Sequence, residues 1–192
     1  MALLILGLVL FLGVHSTNLF APDWRQQQVS RLGIGPWKGL YSLVSLVGLV
    51  LIVLGYSMAR ANMVWLWVPP VGLRHLASLL MLVAFVFLAA TYVPGTHIKA
   101  RVGHPMLLAV KTWAVAHLLA NGTLADLVLF GGFLAWAVPL YIVLRKRDRA
   151  AGTTYPAIGA SRDGMAVAIG VVLWVAFAFF LHQWLFGVAP FG

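Results

Sequence analysis

The strongest constraint on this chain is a succession of apolar runs, each about as long as a bilayer is thick. A membrane-crossing helix needs about 20 mostly apolar residues. Six stretches approach that length: 2–20, a run that follows Pro36-Trp37-Lys38 and ends near Ala59, 73–93, 105–120, 124–144 and 165–186. The third stops at Pro94-Gly95. The fourth is the shortest and is placed to form a tight hairpin with the fifth through Asn121-Gly122-Thr123. The expected fold is therefore all-α, a polytopic membrane bundle of about six transmembrane helices. Residues 1–150 would hold five of them, and 151–192 a connector and the sixth. The first run lacks a basic leader and a small-x-small cleavage step, so it reads as a retained helix rather than a signal peptide.

Composition closes the other routes. Charged residues make up 9% of the 192, against roughly 25% in an ordinary soluble domain. That excludes a soluble globular domain and a disordered tail. There is no cysteine, hence no disulfide, thiolate metal site or cysteine nucleophile. The acids are Asp23, Asp126, Asp148 and Asp163, with no glutamate. Such a chain is poorly equipped for two-carboxylate hydrolysis or for hard divalent cations.

The 13 Lys and Arg leave a formal charge of +9. Six spans would put both termini on one side. Arg25, Arg31, Lys38, Lys99, Arg101, Arg145, Lys146, Arg147, Arg149 and Arg162 would then lie on the other, with Lys111 snorkelling toward them. Only Arg60 and Arg74 fall on the terminal side. Positive charge collects in cytoplasmic loops, so both termini are expected outside, on the non-cytoplasmic face of the membrane. The run Arg145-Lys146-Arg147-Asp148-Arg149 reads as a topology anchor touching anionic lipid, not as a nucleic-acid site. Trp37, Trp65, Trp67, Tyr92 and Trp184 lie near span ends, as interfacial aromatics do.

Ionisable groups inside a bilayer are costly and therefore informative. His15 falls within the first run and His117 within the fourth; His75, His97, His104 and His182 lie nearer run ends or in a connector. Gly7, Phe11 and His15 share one helix face, as do Trp113, His117 and Asn121. A histidine on an alanine-rich face beside an aromatic ring suits a flat ligand such as a porphyrin, and neutral imidazole is a common axial ligand of haem iron. The competing reading is structural, with each imidazole bonding a neighbouring carbonyl or hydroxyl as packing glue. On the six-span register His15 and His117 would differ in depth by about 10 Å. By depth His75, His117 and His182 form an outer group, and His15 and His104 an inner one, so alternative ligand pairs stay open.

Thr123-Leu124-Ala125-Asp126 has the pattern of a capping box. Gly131-Gly132 permits close helix packing. Gly103-His104-Pro105 reads as a helix start, or as a head-group or cofactor contact. No Ser-His-Asp set, phosphate loop or metal-box spacing occurs.

Four stretches carry a family resemblance. They are Gly13-Val14-His15-Ser16, Trp37-Lys38-Gly39-Leu40-Tyr41-Ser42-Leu43-Val44-Ser45, His97-Ile98-Lys99-Ala100-Arg101-Val102-Gly103-His104-Pro105-Met106 and Ala116-His117-Leu118-Leu119-Ala120-Asn121-Gly122. Together they resemble the NnrU family, over roughly residues 1–150. Bacterial members are associated with denitrification and nitric oxide metabolism. The family also resembles the membrane domain of plant zeta-carotene isomerase, which binds haem b through two histidines and isomerises a carotenoid double bond. Its first ligand context matches His15-Ser16, and its Cys-x-x-His step matches Ala114-Val115-Ala116-His117. Alanine replaces that cysteine here, so a histidine-to-thiolate switch is impossible. Gly103-His104-Pro105 stands where the plant enzyme has Arg-His-Pro. A fainter similarity to membrane isoprenylcysteine methyltransferases lacks their arginine and glutamates.

The resemblance implies an inner-membrane protein holding haem b, with His15 and His117 as axial ligands and His75, His104 or His182 as alternatives. Phe11, Trp113 and Asn121 would line the pocket. The implied role is support of nitric oxide or nitrite reduction beside a respiratory or nitric-oxide-handling membrane partner. The enzymatic variant is a polyene cis-trans isomerase. A reading of another class is a cofactor-free helper that packs on a respiratory or transport protein. A transporter lacks support, since the sequence has no repeated halves.

Overall fold

The computed structural model describes residues 1–191. Among them every regular element is a helix. In chain order these are α1 (Ala2–Phe20), α2 (Pro22–Leu32), α3 (Ile34–Ala61), α4 (Val71–Tyr92), α5 (His97–Val102), α6 (Pro105–Ala120), α7 (Leu124–Ala150), α8 (Ala160–Ala176), a π-helical turn (Phe177–Leu181) and α9 (His182–Phe186). Five helical stretches are long and apolar enough to cross a membrane: α1, α3, α4, α7 and the continuous run Ala160–Phe186. The remaining apolar helix, α6, has 16 residues and is only ~24 Å long at 1.5 Å per residue. The chain is thus a multi-pass helical membrane protein, with five full-length spans where about six were expected and α6 as the short one. The chain folds as two compact units, one of Met1–Leu66 with Thr123–Gly132, the other of Trp67–Gly122 with the segment from Phe133 on.

In the first unit α1 packs along α3 by removing side chains from the seam. A Cβ on Gly7 would come within 2.6 Å of the Ile52 backbone nitrogen, and one on Gly48 within 2.8 Å of Phe11 N. Gly55 lies closer still against the Leu4 backbone. Backbones that approach this closely gain van der Waals contact that lipid cannot supply. The opposite face of α3 exposes Leu43, Leu46, Val50 and Val53, an apolar surface compatible with lipid. α2 is short and polar and was not expected as a helix. Pro22 starts it, Asp23 sits in its first turn and Arg31 in its last, each favourable to the helix dipole. Its Trp24 stacks edge-on with Trp37 at 5.7 Å. Trp37 is buried, at 6% exposure. Trp65, Trp67, Tyr92 and Trp184 are exposed.

α7 starts on the capping box read from the sequence. Thr123 N and Oγ donate to Asp126 Oδ2 at 2.9 and 2.6 Å, and Asp126 N donates back to Thr123 Oγ at 3.3 Å. Tyr56 Oη donates to the other carboxylate oxygen at 2.5 Å. Leu124 N donates to Val64 O at 2.8 Å, fixing the segment after α3 beside this helix start.

In the second unit α4 is flanked by α6 and α8. At the α4–α8 crossing a Cβ on Gly170 would meet the Val86 backbone at 2.8 Å. Trp174 Nε1 donates to Ser78 O at 2.9 Å, and the Phe85 and Phe177 rings lie 5.2 Å apart. The end of this unit near Gly95 is strapped by the connector before α8. Ile158 N donates to Gly95 O at 2.9 Å, and the Ile158 side chain fills the space over Gly95. Thr96, fully buried, caps α5 by accepting from Lys99 N.

Candidate functional site

His15 sits in α1 between two aromatic rings. Phe11, one turn earlier, has its ring centre 4.3 Å away, and Tyr41 of α3 lies at 5.3 Å. Tyr41 belongs to a stretch that carries the family resemblance, yet its pairing with His15 had no periodic signal because it comes from another helix. The His15 Nδ1 donates to Phe11 O at 2.6 Å.

His117 repeats this arrangement one turn from the end of α6. Its Nδ1 donates to Trp113 O at 2.9 Å, and the Trp113 ring centre is 5.3 Å away. Asn121 Nδ2 donates to His117 O at 2.9 Å, so its side chain terminates the helix at the level of the imidazole. In both histidines a carbonyl accepts from Nδ1. A carbonyl cannot donate, so Nδ1 carries the proton and in the neutral ring the lone pair falls on Nε2. Metal-ligating histidines are held in this way, with the second ring nitrogen bonded to a carbonyl or carboxylate.

His117 opens onto a pocket of about 280 Å³ in the second unit, lined also by Arg74, Met81, Phe85, Asn121, Trp174 and His182. The imidazoles of His117 and His182 lie 6.4 Å apart with their planes 25° from parallel. His182 Nδ1 donates to Val188 O at 2.7 Å. The outer group inferred from depth thus divides: His117 and His182 share one pocket, while His75 is exposed and does not line it. Trp174 and Arg74 were not singled out in the sequence. Arg74 had only its isolation on the terminal side as a signal, and Trp174 none.

The remaining histidines are engaged elsewhere. His104 caps α6, and its Nε2 lies 3.0 Å from Asp148 Oδ2. Arg145 Nη1 reaches the same oxygen at 3.5 Å, and Tyr155 Oη donates to it at 3.2 Å. Burial and the Asp148 charge together raise the Tyr155 phenol above its ordinary value. His97, half exposed, pairs with Asp163 at 2.7 Å. The basic run at the end of α7 is thus partly neutralised by one carboxylate that gathers a histidine, an arginine and a tyrosine.

A family model described as NnrU protein matches residues 3–190. The chain belongs to the NnrU family. The NnrU match continues through α8 and α9, past residue 150. No curated protein and no solved structure matches the chain.

Among the described residues no three His or Asp side chains converge to hold a bare metal ion. Haem asks less of a protein, since the porphyrin supplies four nitrogens and the chain only one or two axial ligands. In this NnrU chain the donors fit that requirement: imidazoles held through Nδ1 by a backbone carbonyl and set among aromatic and small apolar side chains.

Proposed function

We propose that this NnrU family protein binds haem b in the bacterial inner membrane and serves a redox process linked to nitric oxide and denitrification. The observation that carries the reading is the shared fixation of His15 and His117, each with Nδ1 tied to the carbonyl one turn back. Metal-ligating histidines are oriented by such a bond at the second ring nitrogen. Bound haem would supply reversible one-electron chemistry, with its potential set by axial ligands and surroundings.

The chain's residues would do the rest. His117 would donate its Nε2 lone pair to the iron. His15 is the second ligand that the family resemblance implies. Phe11 and Trp113 hold the two rings in orientation and keep their surroundings apolar. Asn121 fixes the end of α6 and lines the pocket. The link to nitric oxide rests on family membership.

The test is the visible spectrum of the protein purified in mild detergent from haem-replete cells, oxidised and reduced. A low-spin haem b spectrum is expected, with haem lost or its binding weakened at least tenfold in His117→Ala. A folded protein that stays colourless with added haemin overturns the proposal and leaves a cofactor-free helper as the better reading.

A further inference from the structure

The last span carries a feature that the haem reading does not use. A π-helical turn at Phe177–Leu181 interrupts it immediately before His182. One π turn adds a residue to the helix and rotates everything after it by about 100°; such turns are costly and cluster at functional sites. Here the residue after the turn is the imidazole beside His117.

Four observations converge on that imidazole. Its Nδ1 donates to Val188 O, which leaves the lone pair of the neutral ring on Nε2, as in His117. The ring centres are 6.4 Å apart and the planes nearly parallel. Two imidazoles bonded through nitrogen to opposite sides of one metal atom have centres about 6 Å apart, from two ~2 Å bonds and two ring radii. The walls between them are apolar and aromatic, with Phe85 and Trp174. Arg74 lines the same pocket and offers a cation to a carboxylate, which a haem carries at one edge.

We propose that His182 is the second axial ligand of the haem iron held by His117, so that a single pocket of the second unit supplies both imidazoles. The proposal rests on the haem reading and revises its second ligand. It gives the π turn a purpose, since an uninterrupted α-helix would carry residue 182 to another face. It also gives the Val188 carbonyl the role of fixing a ligand tautomer, besides closing the helix end.

The experiment is a haemin titration of the full, tag-free chain in detergent, read by absorption and electron paramagnetic resonance. The wild type is compared with His182→Ala, His182→Met, His15→Ala and His117→Ala. The expected result is a low-spin wild type and a His182→Ala protein that turns high-spin or binds haemin at least tenfold more weakly. Added free imidazole restores the low-spin signal of His182→Ala. His182→Met, which keeps an iron ligand and guards against a folding defect, gives a histidine–methionine spectrum and a higher reduction potential. A purely structural His182 would produce neither the rescue nor that spectrum. His15→Ala stays low-spin. A low-spin spectrum unchanged in both His182 variants and lost in His15→Ala overturns this proposal and leaves the haem reading standing. A wild type that takes up no haemin overturns both.

Discussion

Asp126 is 4% exposed and holds together a helix start by three donors, Tyr56 Oη, Thr123 Oγ and Thr123 N. Removing a shared acceptor strands its donors, at roughly 1–3 kcal/mol for each buried group left unmade. Asp126→Ala is therefore expected to destabilise the protein by about 3 kcal/mol, and Tyr56→Phe by about 1 kcal/mol. Thermal unfolding in detergent checks both, and equal midpoints for wild type and Asp126→Ala would refute the assignment. The cap was legible because its four residues are consecutive and the spacing has a local cause. Tyr56 was not, because a partner 70 positions away leaves no pattern in either segment. The same holds at the histidines. The i−4 aromatics Phe11 and Trp113 could be read from helical spacing, whereas the neighbours Tyr41 and His182 come from other helices.

At the scale of elements, the apolar runs located each long apolar helix, because hydrocarbon tolerates nothing else over that length, but they stopped six residues short of the end of α7 and began five residues after the start of α8. They missed α2 and α5. Both are polar and short: α5 rests on its Thr96 cap, and α2 on Pro22 at its start and the contact of Trp24 with Trp37, not on an apolar stripe. The π turn was invisible too, since a register shift inside an apolar run changes no periodicity that the run possesses. The α1–α3 seam gives a sharp prediction. Gly55→Leu forces a side chain into the Leu4 backbone and is expected to cost about 3 kcal/mol or more. Gly39→Ala, in the same helix with open space around it, should be neutral or stabilising by up to about 1 kcal/mol. Comparing their melting midpoints separates close packing from helix propensity, and a Gly55→Leu protein as stable as wild type would rule out the tight crossing.

For the whole molecule, topology turns on α6. If this helix of 16 residues crosses the membrane, the chain has six passes and both ends lie on one face. The distribution of Lys and Arg then puts that face in the periplasm. Alkaline phosphatase fused at residue 192 is expected to be active, and green fluorescent protein at the same site dark. The reverse result would put the C-terminus in the cytoplasm and overturn the placement of both ends in the periplasm. The charge bias was legible from the sequence because it depends only on which connector each cation occupies. The division into two interleaved units was not, because α7 contributes to both and no change of composition marks the join at Gly132. Helix lengths carry a further consequence. α3 has 28 residues, ~42 Å at the α-helical rise, while α6 reaches barely more than half as far. His117 is three residues from the α6 terminus and Arg74 three residues from the start of α4. The pocket they share therefore lies by the end of α6 and the start of α4, not midway along either helix. A haem held there, as proposed, would sit close to the ends of its helices, where carriers arriving through water would reach it more directly than a quinone dissolved at the midplane.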